Sequence, residues 1–462
     1  MQLASFAKDN VTPMDSLEAP RRFRVFTERQ LGKIEQLARL SERQRFDMKV
    51  VASVLPFRVN EYVLEELIDW DAVPDDPIFR LVFPQREMLN PTDFDRIATL
   101  MRNDADADAD ALQAAIAEVR AGLNPHPAGQ MEMNVPLHNG EPVPGLQHKY
   151  RETVLFFPSQ GQTCHSYCTF CFRWAQFIGD KDLKIANREA SALHGYLREH
   201  TEVSDLLMTG GDPMVMKTSN LQRYLEALTR PEFDHIQTIR IGTKALTFWP
   251  QRFVTDKDAD DLLGLLEGLI QSGKHVAVMA HYNHWRELET DIARQAIERL
   301  RATGAQIRSQ GPLLNNINNS AADWARLWRT QVRLGIIPYY LFVERDTGAR
   351  HYFELPLARA WQVYREAMKS VSGLGRTARG PSMSAGPGKI EVQGIAEIQG
   401  EKVFVLRFIQ ARNPDWVQRP FFAQYDEKAG WLDQLKPAFG EQRFFFEEEY
   451  EAMQRQVVLA GG

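Results

Sequence analysis

Cysteine is nearly absent from these 462 residues: there are three, and all fall in one stretch, Cys164-His165-Ser166-Tyr167-Cys168-Thr169-Phe170-Cys171. So few thiols, so close together, exclude a disulfide framework. The chain also lacks an apolar signal-like region near Met1 and any run of about 18 apolar residues, so neither secretion nor a membrane span is expected. Positive charge is not in excess. A net charge of −6 gives no general basic surface, and nucleic acid is not an expected partner.

What is present is the spacing C-x3-C-x2-C. Three thiolates this close can hold three corners of a [4Fe-4S] cube and leave the fourth iron without a protein ligand, open to chemistry. A Cys3His zinc knuckle is the competing assignment. His165 is a poor fourth ligand for it, because it sits directly beside Cys164, and no second C-x2-C or H-x3-H pair follows. Thiolate-held iron fits a reducing cytoplasm, which is the expected location.

Residues 1–20 read as loosely ordered. A helical period covers 23–55 through Leu31, Ile34, Leu37 and Ala38, and Asn90-Pro91-Thr92-Asp93 reads as a helix start. The Asp/Ala alternation over 104–110 reads as solvated linker, 111–121 as a helix, and 124–145 as an extended connection. From Lys149 the texture changes. Strand-like runs at 153–157, 205–208, 238–241, 275–280, 306–310 and 336–343 alternate with helical stretches at 189–200, 219–228, 258–271, 290–302 and 322–334. About six βα units predict a parallel sheet, closed or partly closed as a barrel, with its chemistry at the C-terminal strand ends. The cysteines follow the first of these strands. A Gly-, Pro- and Ser-dense loop is expected over 375–388, then strands at 389–398 and 402–409 and a Trp- and Phe-rich tail. The expected division is a helical region with its linker (1–148), a βα core (149–372) and a small α+β segment (373–462).

Thr209-Gly210-Gly211-Asp212-Pro213 follows the second strand. Two glycines let a ligand approach the backbone, and exposed main-chain groups there suit an amine and a carboxylate. With the three-cysteine loop, this pairing resembles the radical S-adenosylmethionine (SAM) superfamily. The likeness continues in order through Pro142-Val143-Pro144-Gly145-Leu146, His148 and Tyr150, Arg240-Ile241-Gly242-Thr243-Lys244, Pro250-Gln251-Arg252, His281-Tyr282-Asn283-His284, Ser309-Gln310-Gly311-Pro312-Leu313-Leu314 and Pro338-Tyr339-Tyr340. Over about residues 45–395 the chain resembles the lysine 2,3-aminomutase family.

The resemblance implies a partial (β/α)6-type TIM barrel and three cofactors: a [4Fe-4S] cluster on Cys164, Cys168 and Cys171, SAM, and pyridoxal 5′-phosphate (PLP). The matching PLP lysine is Lys389, behind Ala385-Gly386-Pro387-Gly388, where small residues leave room and an amine near low dielectric can form a Schiff base. Lys149 and Tyr150 match residues that hold the PLP phosphate, while Thr153 stands where a second arginine is expected. Gly210, Gly211, Asp212, His281, Asn283 and Gln310 match SAM-site or pocket positions. Arg173 matches the residue that binds the substrate's α-carboxylate, a role its bidentate fork suits. The two aspartates that meet lysine's distant ammonium in lysine-specific members fall at Arg345, next to Asp346, and at Ser382. A cationic side chain about 4 Å from Arg345 would cost on the order of 4 kcal/mol at intermediate dielectric, so a substrate other than lysine is expected. The family's cysteine-rich C-terminal zinc segment has no counterpart.

The implied reaction moves an α-amino group to the β-carbon of an amino acid. The implied partners are that small molecule and a reducing electron donor such as flavodoxin or ferredoxin. Oligomeric state, including a homo-oligomer, is left open. A PLP-independent radical SAM enzyme of another reaction class and a non-enzymatic zinc-binding module are the alternatives.

Overall fold

The computed structural model describes residues 22–102, 109–124, 133–178 and 186–460. The start of the chain, positions 104–108 of the Asp/Ala alternation and positions 125–132 of the extended connection lie outside the described residues.

Eleven strands form one sheet: β1 (Leu146–Tyr150), β2 (Thr153–Phe156), β3 (Asp205–Met208), β4 (Thr238–Thr243), β5 (His275–His281), β6 (Gln306–Leu313), β7 (Ile337–Val343), β8 (Arg379–Ser384), β9 (Gly388–Ile398), β10 (Glu401–Ala411) and β11 (Pro420–Gln424). Their order in the sheet follows the chain. β2 to β8 are parallel neighbours; β1 joins β2 antiparallel, and β8 to β11 are antiparallel. Among the described residues the first and last strands do not pair, so the sheet is open, an α/β fold of partial-barrel type. It runs on without a break past residue 373.

Alternation explains the packing. In β4, Ile239, Ile241 and Thr243 are buried while Arg240 and Gly242 are less so. Both isoleucines join one apolar cluster with Leu193 and Leu197, Leu221 and Leu225, and Leu262 and Leu266. These leucines lie on the covering helices α1 (Ala190–Glu199), α2 (Thr218–Leu225) and α3 (Ala259–Gln271). The opposite, more polar face points into the barrel.

The expected strands and helices of the core are present within a few residues. Two expectations change. The helical period over 23–55 is split: Val25–Thr27 is a strand, two 3-10 segments follow, and the α-helix is Glu42–Val54, begun by a Ser41–Gln44 capping box. The expected loop over 375–388 contains β8, a seventh parallel strand. Gly380-Pro381 suggests a break, yet Arg379 pairs with Tyr340 and Ser382 with Phe342 across a register irregularity. The Gly380 amide is satisfied by the Glu391 carboxylate at 3.1 Å, and proline has no amide to satisfy.

The N-terminal region builds a second core that includes Phe170, Trp174, Phe248 and Trp249, so it packs on the loops at the C-terminal strand ends. No described helix is long and apolar enough to cross a membrane.

Candidate active site

A cavity of about 300 Å³ opens at the C-terminal ends of the parallel strands. Cys164, Cys168 and Cys171 reach it from the loop after β2, Gly210, Gly211 and Asp212 from the turn after β3, and Lys244 from the end of β4. His281, Gln310 and Arg345 reach it from β5, β6 and the loop after β7, and Arg173 lies just past the last cysteine. Phe170, Phe172, Phe248 and Phe342 supply apolar wall.

The cysteine loop is held from two sides. From the N-terminal region, Asn60 Nδ2 donates to His165 O (3.3 Å) and Phe248 O (2.7 Å), and the Asn60 amide donates to Ser166 Oγ. The Tyr167 and Thr169 amides donate to Arg58 O (2.8 Å) and Leu81 O (2.9 Å). From the β3 turn, the Asp212 amide donates to Thr163 O at 2.7 Å. A Cβ on Gly211 would stand 2.5 Å from that same oxygen, and Gly210 has φ +150°, so the glycine pair is required by the approach of the loop's own backbone. Asp212 serves the same end. Its carboxylate accepts from Met214 N (2.9 Å), Thr243 Oγ1 (2.6 Å) and Lys244 N (2.9 Å), fastening the turn to β4, and burial raises its pKa to about 6.

Burial raises the pKa of all three thiols, that of Cys171 to about 11, where the Arg173 main chain and guanidinium offset part of the effect. Three thiols that face one cavity are a donor set for an iron–sulfur cube with one free corner, and the positive charge of bound iron would deprotonate them. The His165 ring stacks on that of Trp249 (6.5 Å, 16°), and burial lowers its pKa to about 3.

Sequence reasoning assigned no role to the ion pair beneath the cavity. Lys244 Nζ donates to Glu287 Oε1 (2.6 Å) and Asn283 Oδ1 (3.0 Å), and Glu287 also accepts from the Asn283 and His284 amides. Asn283 therefore lies below the cavity wall, where it supports Lys244. His281 lines the wall against Phe170 (5.7 Å), with its pKa lowered to about 3 by burial and by Lys244.

Two guanidinium groups share one ring. Arg173 Cζ is 5.3 Å and Arg345 Cζ 5.2 Å from the centre of Phe172. Arg173 Nη1 and Arg345 Nε are buried with no hydrogen-bond partner. Glu344, missed in the sequence although it adjoins Arg345, is buried in the same wall, and burial raises its pKa well above the usual carboxylate range. Ser382 is not brought to the cavity. It is fully buried in the sheet with Oγ 3.4 Å from Leu341 O, and Ser384 lines the wall instead.

Lys389, Lys149 and Tyr150 form a layer behind the wall. Lys389 Nζ is 4.1 Å from the centre of Tyr340 and 5.5 Å from that of Phe342, a wall residue. Burial first, then Arg240 and Arg379, lowers its pKa to about 7. Lys149 Nζ donates to Ala385 O, and its pKa falls through burial and the charges of Arg412, Arg345 and Lys389. Burial raises that of Tyr150. Arg412, also missed, holds the loop before Lys389 through Nε to Gly386 O (2.9 Å) and its amide to Pro387 O (3.0 Å). The small residues of that loop are explained by packing, since a Cβ on Gly386 would meet the Tyr450 hydroxyl and one on Gly388 the Gln410 carbonyl. A readily deprotonated amine beside gathered cations fits a phosphorylated aldehyde.

An α/β sheet with a three-cysteine loop after its first parallel strand and a Gly-Gly turn after the next defines a protein of the radical SAM class. Among solved structures, a radical SAM methyltransferase from Sphaerobacter thermophilus aligns with a TM-score of 0.36 and 14% identity over 54% of this chain and 69% of that one. Streptococcus suis SuiB bound to S-adenosylmethionine aligns at 0.35 and 15% over 59% and 56%. No family model matches. Among sequence relatives, a protein of Aquifex aeolicus (strain VF5) named "Putative L-lysine 2,3-aminomutase" is 31% identical over 395 residues, 85% of this chain and 91% of its own. The chain belongs to the lysine 2,3-aminomutase family. The L-lysine 2,3-aminomutases of Bacillus subtilis (strain 168) and Escherichia coli (strain K12) are 29% and 31% identical over 57% and 50% of this chain. The chain spans 53% and 63% of their lengths.

Proposed function

We propose that the chain is a radical SAM, PLP-dependent amino acid 2,3-aminomutase whose substrate is not lysine and carries an acidic or polar side chain. The observation that carries this reading is a buried side-chain nitrogen without a hydrogen-bond partner on each of Arg173 (Nη1) and Arg345 (Nε), in the cavity that the three thiols also line. A buried donor without an acceptor is costly, and two of them ask for two accepting groups.

Cys164, Cys168 and Cys171 would hold the cluster, which together with SAM supplies one-electron cleavage and a hydrogen-abstracting radical. Lys389 would hold PLP, which supplies an aldehyde that activates the substrate's α-nitrogen for migration. The remaining work belongs to side chains of this chain. Arg173 fixes the α-carboxylate by paired hydrogen bonds. Arg345 receives the far end of the substrate, and Glu344 faces the same space. The phenylalanine wall keeps out water, and His281, neutral at physiological pH, adds no charge near the thiols. Lys149 and Arg412 hold the loop that leads to Lys389.

The test is turnover by anaerobic, iron-reconstituted protein with SAM, PLP and a reductant, given aspartate, glutamate, glutamine and lysine in separate reactions. A β-amino product from an acidic or amide amino acid, and none from lysine, is expected. Efficient formation of β-lysine overturns the substrate assignment.

A further inference from the structure

Behind the cavity wall, cations and tyrosine rings alternate in a row. Arg308 Cζ is 5.1 Å from the centre of Tyr339. Arg379 Cζ is 4.5 Å from Tyr339 and 4.3 Å from Tyr340. Lys389 Nζ is 4.1 Å from Tyr340. Adjacent strand residues normally point to opposite faces, but here the two rings are 4.4 Å apart. A bulge accounts for it: Ser309 pairs with Pro338 and the next residue, Gln310, with Tyr340, which leaves Tyr339 as the extra residue. Parallel pairing then sets Arg379 opposite Tyr340.

The row is short of negative charge. Asp205 is spent on Arg240 (Nε to Oδ1, 2.8 Å) and on the Thr153 hydroxyl (2.9 Å), and Glu391 on Arg407 (2.8 Å) and the Gly380 amide (3.1 Å). Among the described residues no carboxylate pairs with Arg379 or Lys389. Two cations thus share one ring without an anion, and a guanidinium does not give up its proton in proteins. The lysine is the member that can become neutral.

We propose that Arg379 is a positioning residue that keeps the Lys389 amine neutral, the form able to attack a carbonyl. The groups that face Lys389 are Tyr340 and Phe342 from β7, Arg379 from β8, Arg240 from β4 and Lys149 from β1. Arg240 is compensated by Asp205 and Lys149 is itself readily deprotonated, so Arg379 supplies the uncompensated charge. The depressed pKa of Lys389 has burial as its first cause, Arg240 as its second and Arg379 as its third. The purpose of the device rests on the reading of Lys389 as the PLP lysine.

The test measures the amine without any cofactor. The full-length protein is trace-labelled with acetic anhydride from pH 5 to 10, and Lys389 reactivity is read by peptide mass spectrometry against the exposed Lys402 and Lys428. Wild type is expected to reach its half-maximum near neutrality. Arg379→Met is expected to raise that midpoint by about one pH unit, lowering reactivity at pH 7 about fivefold, and Arg379→Lys to restore it. An unmoved midpoint in a folded Arg379→Met protein overturns the proposal. Arg379→Gln carries the same comparison if the methionine variant does not fold. PLP with borohydride on wild type is the second arm. A shifted midpoint without label on Lys389 defeats the PLP reading and leaves the Arg379 effect standing. Label on Lys389 with an unmoved midpoint does the reverse.

Discussion

Lys149 near the end of the first strand donates from Nζ to the carbonyl of Ala385 at 2.6 Å, so the open sheet is bridged at the loop that leads to Lys389. Arg412 grips the next two carbonyls from the other side. The approach to the candidate PLP lysine is therefore held by residues about 240 positions upstream and about 25 downstream.

Lys149→Met leaves the Ala385 carbonyl unpaired, a cost of about 1–3 kcal/mol, but it also removes a cation from among Arg412, Arg345 and Lys389. The two effects offset in global stability, and the change in denaturant midpoint is expected to be small. Retention of PLP after gel filtration is expected to fall. Unchanged retention would show that the bridge does not order the loop.

Gly211→Ala is expected to strip iron from the protein, because its Cβ would stand 2.5 Å from Thr163 O at the root of the cysteine loop. Gly268→Ala in α3 meets nothing within 4 Å. It should stabilise the protein by about 0.5–1 kcal/mol and leave iron content intact. Iron and sulfide analysis of the two variants checks both.

The Lys244–Glu287 pair is buried, with side chains 10% and 0% exposed. Removing one partner by Lys244→Met or Glu287→Gln is expected to cost about 3–5 kcal/mol each, because it strands a buried charge. The double variant should cost clearly less than the sum in a urea-denaturation cycle; additive costs would contradict the pairing.

The depressed pKa of Lys389 makes stability depend on pH with a definite sign. Between about 7 and the ordinary lysine value, the unfolded chain binds the proton that the folded chain does not, so stability from this group rises with pH across that window. Lys389→Met removes the cost. It should unfold at higher denaturant than wild type at pH 6, with the gap closing toward pH 10. A gap that does not change with pH would contradict the shift.

The parallel core was legible because a strand buried on one face and an amphipathic helix leave different periods, as at 238–241 and 258–271. The three thiols were legible because their spacing alone defines a donor set. β8 was hidden because Gly380-Pro381 reads as a turn, and its pairing depends on Glu391 eleven residues on. Lys244 and Glu287 are 43 positions apart and meet only through the βα wrap. The Arg379–Tyr340–Lys389 cluster follows from strand register and a bulge, neither of which a single chain's composition shows. Ser382 was placed by counting along the chain, and the irregular register of β8 puts Ser384 at the wall in its stead.

The central claim is that one protein carries an iron–sulfur cluster on Cys164, Cys168 and Cys171 and PLP on Lys389. The direct measurement is borohydride reduction of anaerobically reconstituted protein after incubation with PLP, with peptide mapping by mass spectrometry. A phosphopyridoxyl group on Lys389, in protein that also holds about four irons and four sulfides, is the predicted result. An unmodified Lys389 beside an intact cluster that still cleaves SAM would contradict the aminomutase account and leave a PLP-independent radical SAM enzyme.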